Sequence, residues 1–238
     1  MSLLRLSLLL ASLLLSGCGS TNPGARANPQ DPFESFNRSV YTFNDTLDKA
    51  VLKPVAKGYS AAVPSTAKTL VNNFFSNLDD VVVTTNDLLQ LKFRQAASDG
   101  CRVIFNSTFG LFGLINVTER LEKHNEDFGQ TLGYWGLPSG PYLMLPFFGP
   151  STIRDGSGLY ADSFVSIISK TKRVPARNSA YVVKAVNTRA SLLEQEKVLD
   201  EAMIDRYGFI REAYLMHRQS LVYDGNPPRR KYEEDDEE

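Results

Sequence analysis

Two cysteines, two histidines and one tryptophan are all that 238 residues contain of those types, and the shortage narrows the chemistry at once. His124, His217 and one spare thiol cannot assemble a His/Cys metal cluster, and no acidic segment has the spacing of an EF-hand loop. A Gly-x-Ser-x-Gly elbow, a phosphate loop and a dinucleotide fingerprint are all missing, so no motif supplies a nucleophile or holds a nucleotide. Spacing alone does not exclude a Ser-His-Asp triad, because triads assemble from distant positions. Both histidines, however, stand among charged residues typical of solvated helix surfaces. The chain is therefore read as a non-enzyme without metal or cofactor. A charge excess of either sign is lacking too. Of 26 Lys and Arg one, Arg5, lies in the leading segment, and of 27 Asp and Glu six form the last six residues. The body between is mildly basic, too weakly for a nucleic-acid surface but suited to a protein held near anionic headgroups.

Long hydrophobic runs are absent except at the start. Arg5, the apolar residues 6–15 and the small pair Ser16-Gly17 follow the order of an export signal, assigned to residues 1–17. About ten apolar residues span roughly 15 Å as a helix, half of what a hydrocarbon core requires. Leu15-Ser16-Gly17-Cys18 resembles the lipobox of bacterial lipoproteins, which makes Cys18 the acylation site. Residues 18–30 are small, polar and proline-containing, the composition of an extended tether. Residues 31–224 are long enough for one domain. Residues 225–238 carry Pro227-Pro228, Arg229-Arg230-Lys231 and the acidic run, and are read as a disordered acidic tail. With Cys18 acylated, an intramolecular disulfide is excluded. Cys101 is then read as a small buried residue on one helical face with Phe93, Ala97 and Ile104.

Asp31-Pro32-Phe33-Glu34 has the form of a capped helix start. Phe33, Phe36, Val40, Phe43 and Leu47 then recur at steps of three and four, opposite Asn37, Arg38, Asn44 and Asp45, until Pro54 ends the helix. Two readings stand for this stripe: it packs on the core, or, just past a lipid tether, it lies in the membrane interface. Helices are expected over 65–77, 79–91 and 92–105, again over 159–170 and 179–203, with Val183, Val186, Ala190 and Leu193 on one face of the latter, and finally over 209–223 after a break at Gly208. The four Asn-x-Ser/Thr matches at Asn37, Asn44, Asn106 and Asn116 are taken as chance.

Between residues 110 and 158 the composition changes, with nine of sixteen glycines and four of twelve prolines. Glycine allows close approaches that side chains forbid, while the interleaved aromatics demand an apolar environment. This segment is the candidate lipid path: Phe109, Gly110, Phe112, Gly113, Gly133, Trp135, Gly140, Tyr142 and Phe147, with Arg154 and Asp155 on the headgroup side. The other reading of its glycines is tight backbone packing.

Residues 28–38 (NPQDPFESFNR), 106–117 (NSTFGLFGLINV), 127–155 (DFGQTLGYWGLPSGPYLMLPFFGPSTIRD) and Arg211-Glu212-Ala213-Tyr214 closely resemble the MlaA, or VacJ, lipoprotein family, from the lipobox to about Tyr223. The resemblance implies an all-α, ring-like single domain in which the irregular segment lines a central path. It implies an outer-membrane lipoprotein facing the periplasm that removes phospholipids misplaced in the outer leaflet. Its partners would be a trimeric porin, a soluble MlaC-type periplasmic carrier and membrane phospholipids, with phospholipid as transported ligand and the lipid on Cys18 as the covalent group. The alternative is a structural, porin-associated envelope lipoprotein without transport activity.

Overall fold

The computed structural model describes residues 28–200 and 205–228, and of residues 197–200 only the backbone. The export signal, Cys18, most of the tether and the acidic run lie outside the described residues. Helix α1, Glu34–Leu47, passes through one wide turn at Asp48–Leu52 into α2, Lys53–Ala62. Pro54 does not end the helix as expected. It sits in the first turn of α2, and the wide turn before it relieves the demand for the missing N–H. Nor is Asp31 the cap: the residue before α1 is Phe33, with no side-chain cap. Asp31 is instead buried, accepting from Asn37 Nδ2 at 2.8 Å, the Tyr207 hydroxyl at 2.6 Å and Arg211 at 3.0 Å. Three strong side-chain donors outcompete a backbone N–H.

Two helices were expected over 65–91, and one is found: α3, Ser65–Leu89. The boundary expected between residues 77 and 79 is absent, since no glycine or proline breaks the helix there. The two carboxylates at that point are taken by cations, Asp79 by Lys184 and Asp80 by Lys123. A turn with Leu91 at φ 61° leads to α4, Phe93–Phe109, packed along α3. Then follow α5, Phe128–Tyr134, a hairpin of β1, Tyr142–Leu145, and β2, Gly149–Thr152, and α6, Ile153–Asp162. Last come α7, Ile167–Lys170, α8, Val174–Ser191, α9, Leu193–Asp200, and α10, Arg206–Val222. The hairpin is antiparallel, with Tyr142 opposite Thr152 and Leu145 opposite Gly149. The fold is thus mostly helical, as expected, with the hairpin as an addition. Gly208 is not a break but part of the first turn of α10, its N–H bound to the Asp205 cap.

The apolar core is small. Val40, Tyr142, Met144 and Tyr207 form it, with Tyr41, Ile210, Tyr214 and Leu215 packed around them, so it joins α1, β1 and α10. Asn37 and Asn44 attach α1 to the free edge of β1, because residues seven apart stand two turns apart on one helix face. Asn37 donates to Tyr142 O and accepts from Met144 N, and Asn44 donates to Leu145 O and accepts from Phe147 N. The side of α1 expected to face solvent therefore carries its most buried residue, Asn37. Elsewhere buried apolar side chains such as Phe75, Val83 and Ile168 share the interior with many buried polar ones: Asp80, Asp87, Asp99, Arg102, Asn86, Gln90 and Thr131.

Candidate functional site

The outside mirrors this inversion. Eleven of the fourteen phenylalanines are exposed. In α4 the buried positions are Ala96, Asp99, Arg102 and Asn106, while Phe93, Ile104, Phe105 and Phe109 face outward. Cys101 is exposed, and Ala97 with it, which corrects the expectation that this face is core. The face was identified correctly and its direction was not, because the rule that apolar sides turn inward presumes water outside. On α1 the stripe divides. Val40 is core, whereas Phe33, Phe36 and Phe43 are about half exposed. The same holds on α8, where Val186 is buried and Val183 is exposed.

Two turns present aromatics outward against local strain. Leu111, Phe112 and Gly113 have φ of 50°, 58° and 89°, a left-handed run that non-glycine residues seldom adopt. It projects Leu111 and Phe112 into the surroundings, Phe112 at 78% exposure. The flanking glycines are required by contact: a Cβ on Gly110 would lie 2.1 Å from Ile115 O, and one on Gly113 2.6 Å from Asn77 Nδ2. The second turn is the hairpin tip, where Phe147 has φ 67° and Phe147 and Phe148 are both exposed. Phe43 meets Phe147 edge to face, ring centres 5.5 Å apart. Beside α4, Phe105 and Phe109 stack at 5.9 Å and line an open depression of about 800 Å³ with Asn116, Val117, Thr118, Glu119, Arg120 and Leu121.

The structure separates the candidate path residues into two groups. Phe109, Phe112, Trp135 and Phe147 are exposed, whereas Gly110 and Gly113 are packed. Gly133 faces Arg154 and Val222, and Gly140 has φ 68° beside Ile153. Tyr142 is fully buried in the core. Arg154 and Asp155 are buried and joined to each other at 2.9 Å. Asp155 also accepts from the Tyr214 hydroxyl at 2.9 Å and from Arg218 at 2.9 Å, and Arg218 reaches across to Asp127 at 2.9 Å. Burial alone would raise both carboxyls; Arg218 between them holds each below the ordinary aspartate range. Sequence reasoning missed Arg218, which lies 63 residues beyond Asp155 and has no local signal.

A second polar network lies between α3 and α4. Arg102 pairs with Asp80 and donates to the carbonyls of Thr118 and Leu121, and His124 Nδ1 lies 2.6 Å from Asp99. Among the described residues neither histidine ring is hydrogen-bonded to a serine, and no group of His, Cys, Asp and Glu could hold a metal ion. Asp87 is fully buried with both carboxyl oxygens unpartnered. Burial first, then Asp99 and Glu126, push it up to about 7.

A family model described as MlaA lipoprotein matches residues 29–221. The intermembrane phospholipid transport system lipoprotein MlaA of Escherichia coli (strain K12) is 35% identical over 231 residues, covering 93% of this chain and 90% of the relative. The Haemophilus influenzae protein of the same name is 32% identical over 227 residues, covering 92% and 90%. An uncharacterised Rickettsia conorii protein is 37% identical over 211 residues, covering 86% and 82%. A solved structure described as the structural basis for maintenance of bacterial outer membrane lipid asymmetry matches with a TM-score of 0.72 at 33% identity, covering 82% of this chain and 99% of that one.

Proposed function

The chain belongs to the MlaA lipoprotein family, and from that premise we propose that it takes misplaced phospholipid from the outer leaflet of the outer membrane and passes it to a periplasmic carrier, maintaining lipid asymmetry. The family is one of transport lipoproteins, and no hydrolytic step is needed. The observation that carries this reading is the inverted burial, with phenylalanines outward and aspartates, arginine and amides inward. Outside water, apolar side chains turn toward lipid and polar groups satisfy one another inside. No described helix is long and apolar enough to cross a membrane, so the domain lies in one leaflet, held by acyl chains on Cys18.

Transfer itself poses an apolar problem. A phospholipid has roughly thirty chain methylenes, and at about 0.8 kcal/mol each their exposure costs over 20 kcal/mol. The outward aromatics at Phe109, Phe112 and Phe147, and the depression beside Phe105, offer acyl chains a surface continuous with the bilayer, while Glu119 and Arg120 at its edge suit a headgroup. A trimeric porin would fix the domain in the membrane, and the chain's lack of a nucleotide motif assigns the driving energy to a partner.

The test is phospholipid transfer to an MlaC-type carrier from vesicles holding porin and the acylated protein, with Cys18→Ser and Phe112→Asp beside wild type. Transfer lost in both folded variants is expected. Wild-type protein that binds porin but moves no lipid would instead identify a structural lipoprotein.

A further inference from the structure

Residues 163–193 contain six Lys and Arg and no Asp or Glu, in a chain whose overall charge is nearly balanced. Two of the six are neutralised by packing: Lys184 pairs with Asp79 at 2.6 Å, and Arg189 with Asp48 at 2.8 Å. The other four, Lys170, Lys172, Arg173 and Arg177, fall within eight residues at the α7–α8 corner. Among the described residues none of their side chains has an ion-pair or hydrogen-bond partner, and all but the half-buried Arg177 are exposed. Four like charges so close repel one another, and no acid among the described residues pairs with them. Between and beside them stand exposed apolar side chains: Phe164 at 58%, Ile167 at 44% and Val174 at 51%.

We propose that this corner docks onto the anionic phospholipid headgroups of a membrane leaflet, the four cations taking phosphates while Phe164, Ile167 and Val174 enter the acyl boundary. Two features select lipid over an acidic protein. Exposed apolar residues stand directly before the cations, at Phe164 and Ile167, and among them, at Val174, and a leaflet offers phosphate and hydrocarbon within the length of one lysine side chain, the geometry in which long cations snorkel. The corner also adjoins further exposed aromatics: Phe164 meets Tyr160 edge to face with ring centres 5.1 Å apart, and Ser169 Oγ lies 2.6 Å from the Tyr181 hydroxyl. The inference rests on the membrane seat proposed above, not on transport.

The experiment uses the full chain carrying Cys18→Ser, so that acyl chains do not dominate, and measures co-flotation with vesicles of phosphatidylcholine alone or mixed with phosphatidylglycerol. A preference for the anionic vesicles that salt weakens is expected. Reversal of all four cations (K170E, K172E, R173E and R177E together) should weaken binding to them about tenfold or more with an unchanged melting curve. Reversal of the exposed Lys57 and Arg94 elsewhere should have a smaller effect. Equal binding to both vesicle types overturns the proposal, as does a fourfold reversal that keeps the preference. Loss of binding only to an acidic protein partner also overturns it. Normal lipid transfer by a protein without anionic preference would sink this inference alone, and anionic binding without transfer would sink only the transport reading.

Discussion

A Cβ placed on Gly158 would stand 2.3 Å from the backbone nitrogen of Gly129, so α6 crosses α5 backbone against backbone at these two residues. The crossing brings Asp127 at the head of one helix and Asp155 in the first turn of the other to opposite sides of Arg218. Gly158→Ala should therefore separate the helices and cost about 3 kcal/mol or more, read as a lowered melting temperature. Gly58, in the middle of α2 with nothing within 4 Å of its Cβ position, is the contrast. Gly58→Ala should stabilise by about 0.5–1 kcal/mol through helix propensity alone.

The Arg218 junction sets the next expectation. Arg218→Leu removes the cation between the buried Asp155, which keeps Arg154, and the partly exposed Asp127, and should cost about 3 kcal/mol. Arg154→Glu places a third acid beside Asp155 and should also melt early. A transfer defect in that variant then reports folding rather than a lost headgroup contact. Arg154→Gln, which keeps a donor for Asp155 and Leu137 O, is the variant in which transfer can be compared with wild type at similar stability.

Periodicity made the helical class legible, and the face of α4 bearing Phe93, Cys101 and Ile104 was found by spacing alone. The direction of that face was not legible, since spacing states which residues share a side and not which solvent lies beyond it. The same gap hid Asn37, which looks like a solvent residue and supplies the edge partner of β1. The boundary expected near residue 79 does not exist, because Asp79 and Asp80 sit within one continuous helix and pair with Lys184 and Lys123. The left-handed turns at Leu111, Phe112 and Phe147 had no signal of their own, as positive φ is foreseen only where glycine or asparagine stands.

Asp87 gives a pH prediction with a definite sign. Its carboxyl is pushed up to about 7 from an ordinary 3.8, so the folded protein holds a proton that the unfolded chain releases. Lys92 at the start of α4, Asp99 on α4, and His124 and Glu126 in the following loop are the charged groups that act on it. Its contribution is full below about pH 4 and is lost as pH rises toward 7, by about 1.4 kcal/mol per pH unit if it titrates alone. Asp87→Asn removes the proton and should flatten the fall in melting temperature between those limits. An unchanged slope would place the titration on Asp99, Glu126 or Asp162, whose carboxyls are also raised by burial.

The stripe on α1 decides between membrane and core within one helix. Val40 is 9% exposed and packs with Tyr142, Met144 and Tyr207, whereas Phe36, one turn earlier, is 51% exposed. A carboxylate at 40 would be buried without a partner, so Val40→Asp should cost several kcal/mol and unfold the domain. A carboxylate at 36 meets no such barrier, and Phe36→Asp should shift stability by only about 0.5 kcal/mol. It would, however, put a charge into the acyl boundary if Phe33, Phe36 and Phe43 lie in lipid, which weakens membrane contact while the fold persists. Melting curves in detergent, paired with flotation on vesicles, separate the two effects. Early melting of Phe36→Asp would make the exposed half of the stripe part of the core after all; normal melting with wild-type flotation would leave the domain's lipid contact to other faces.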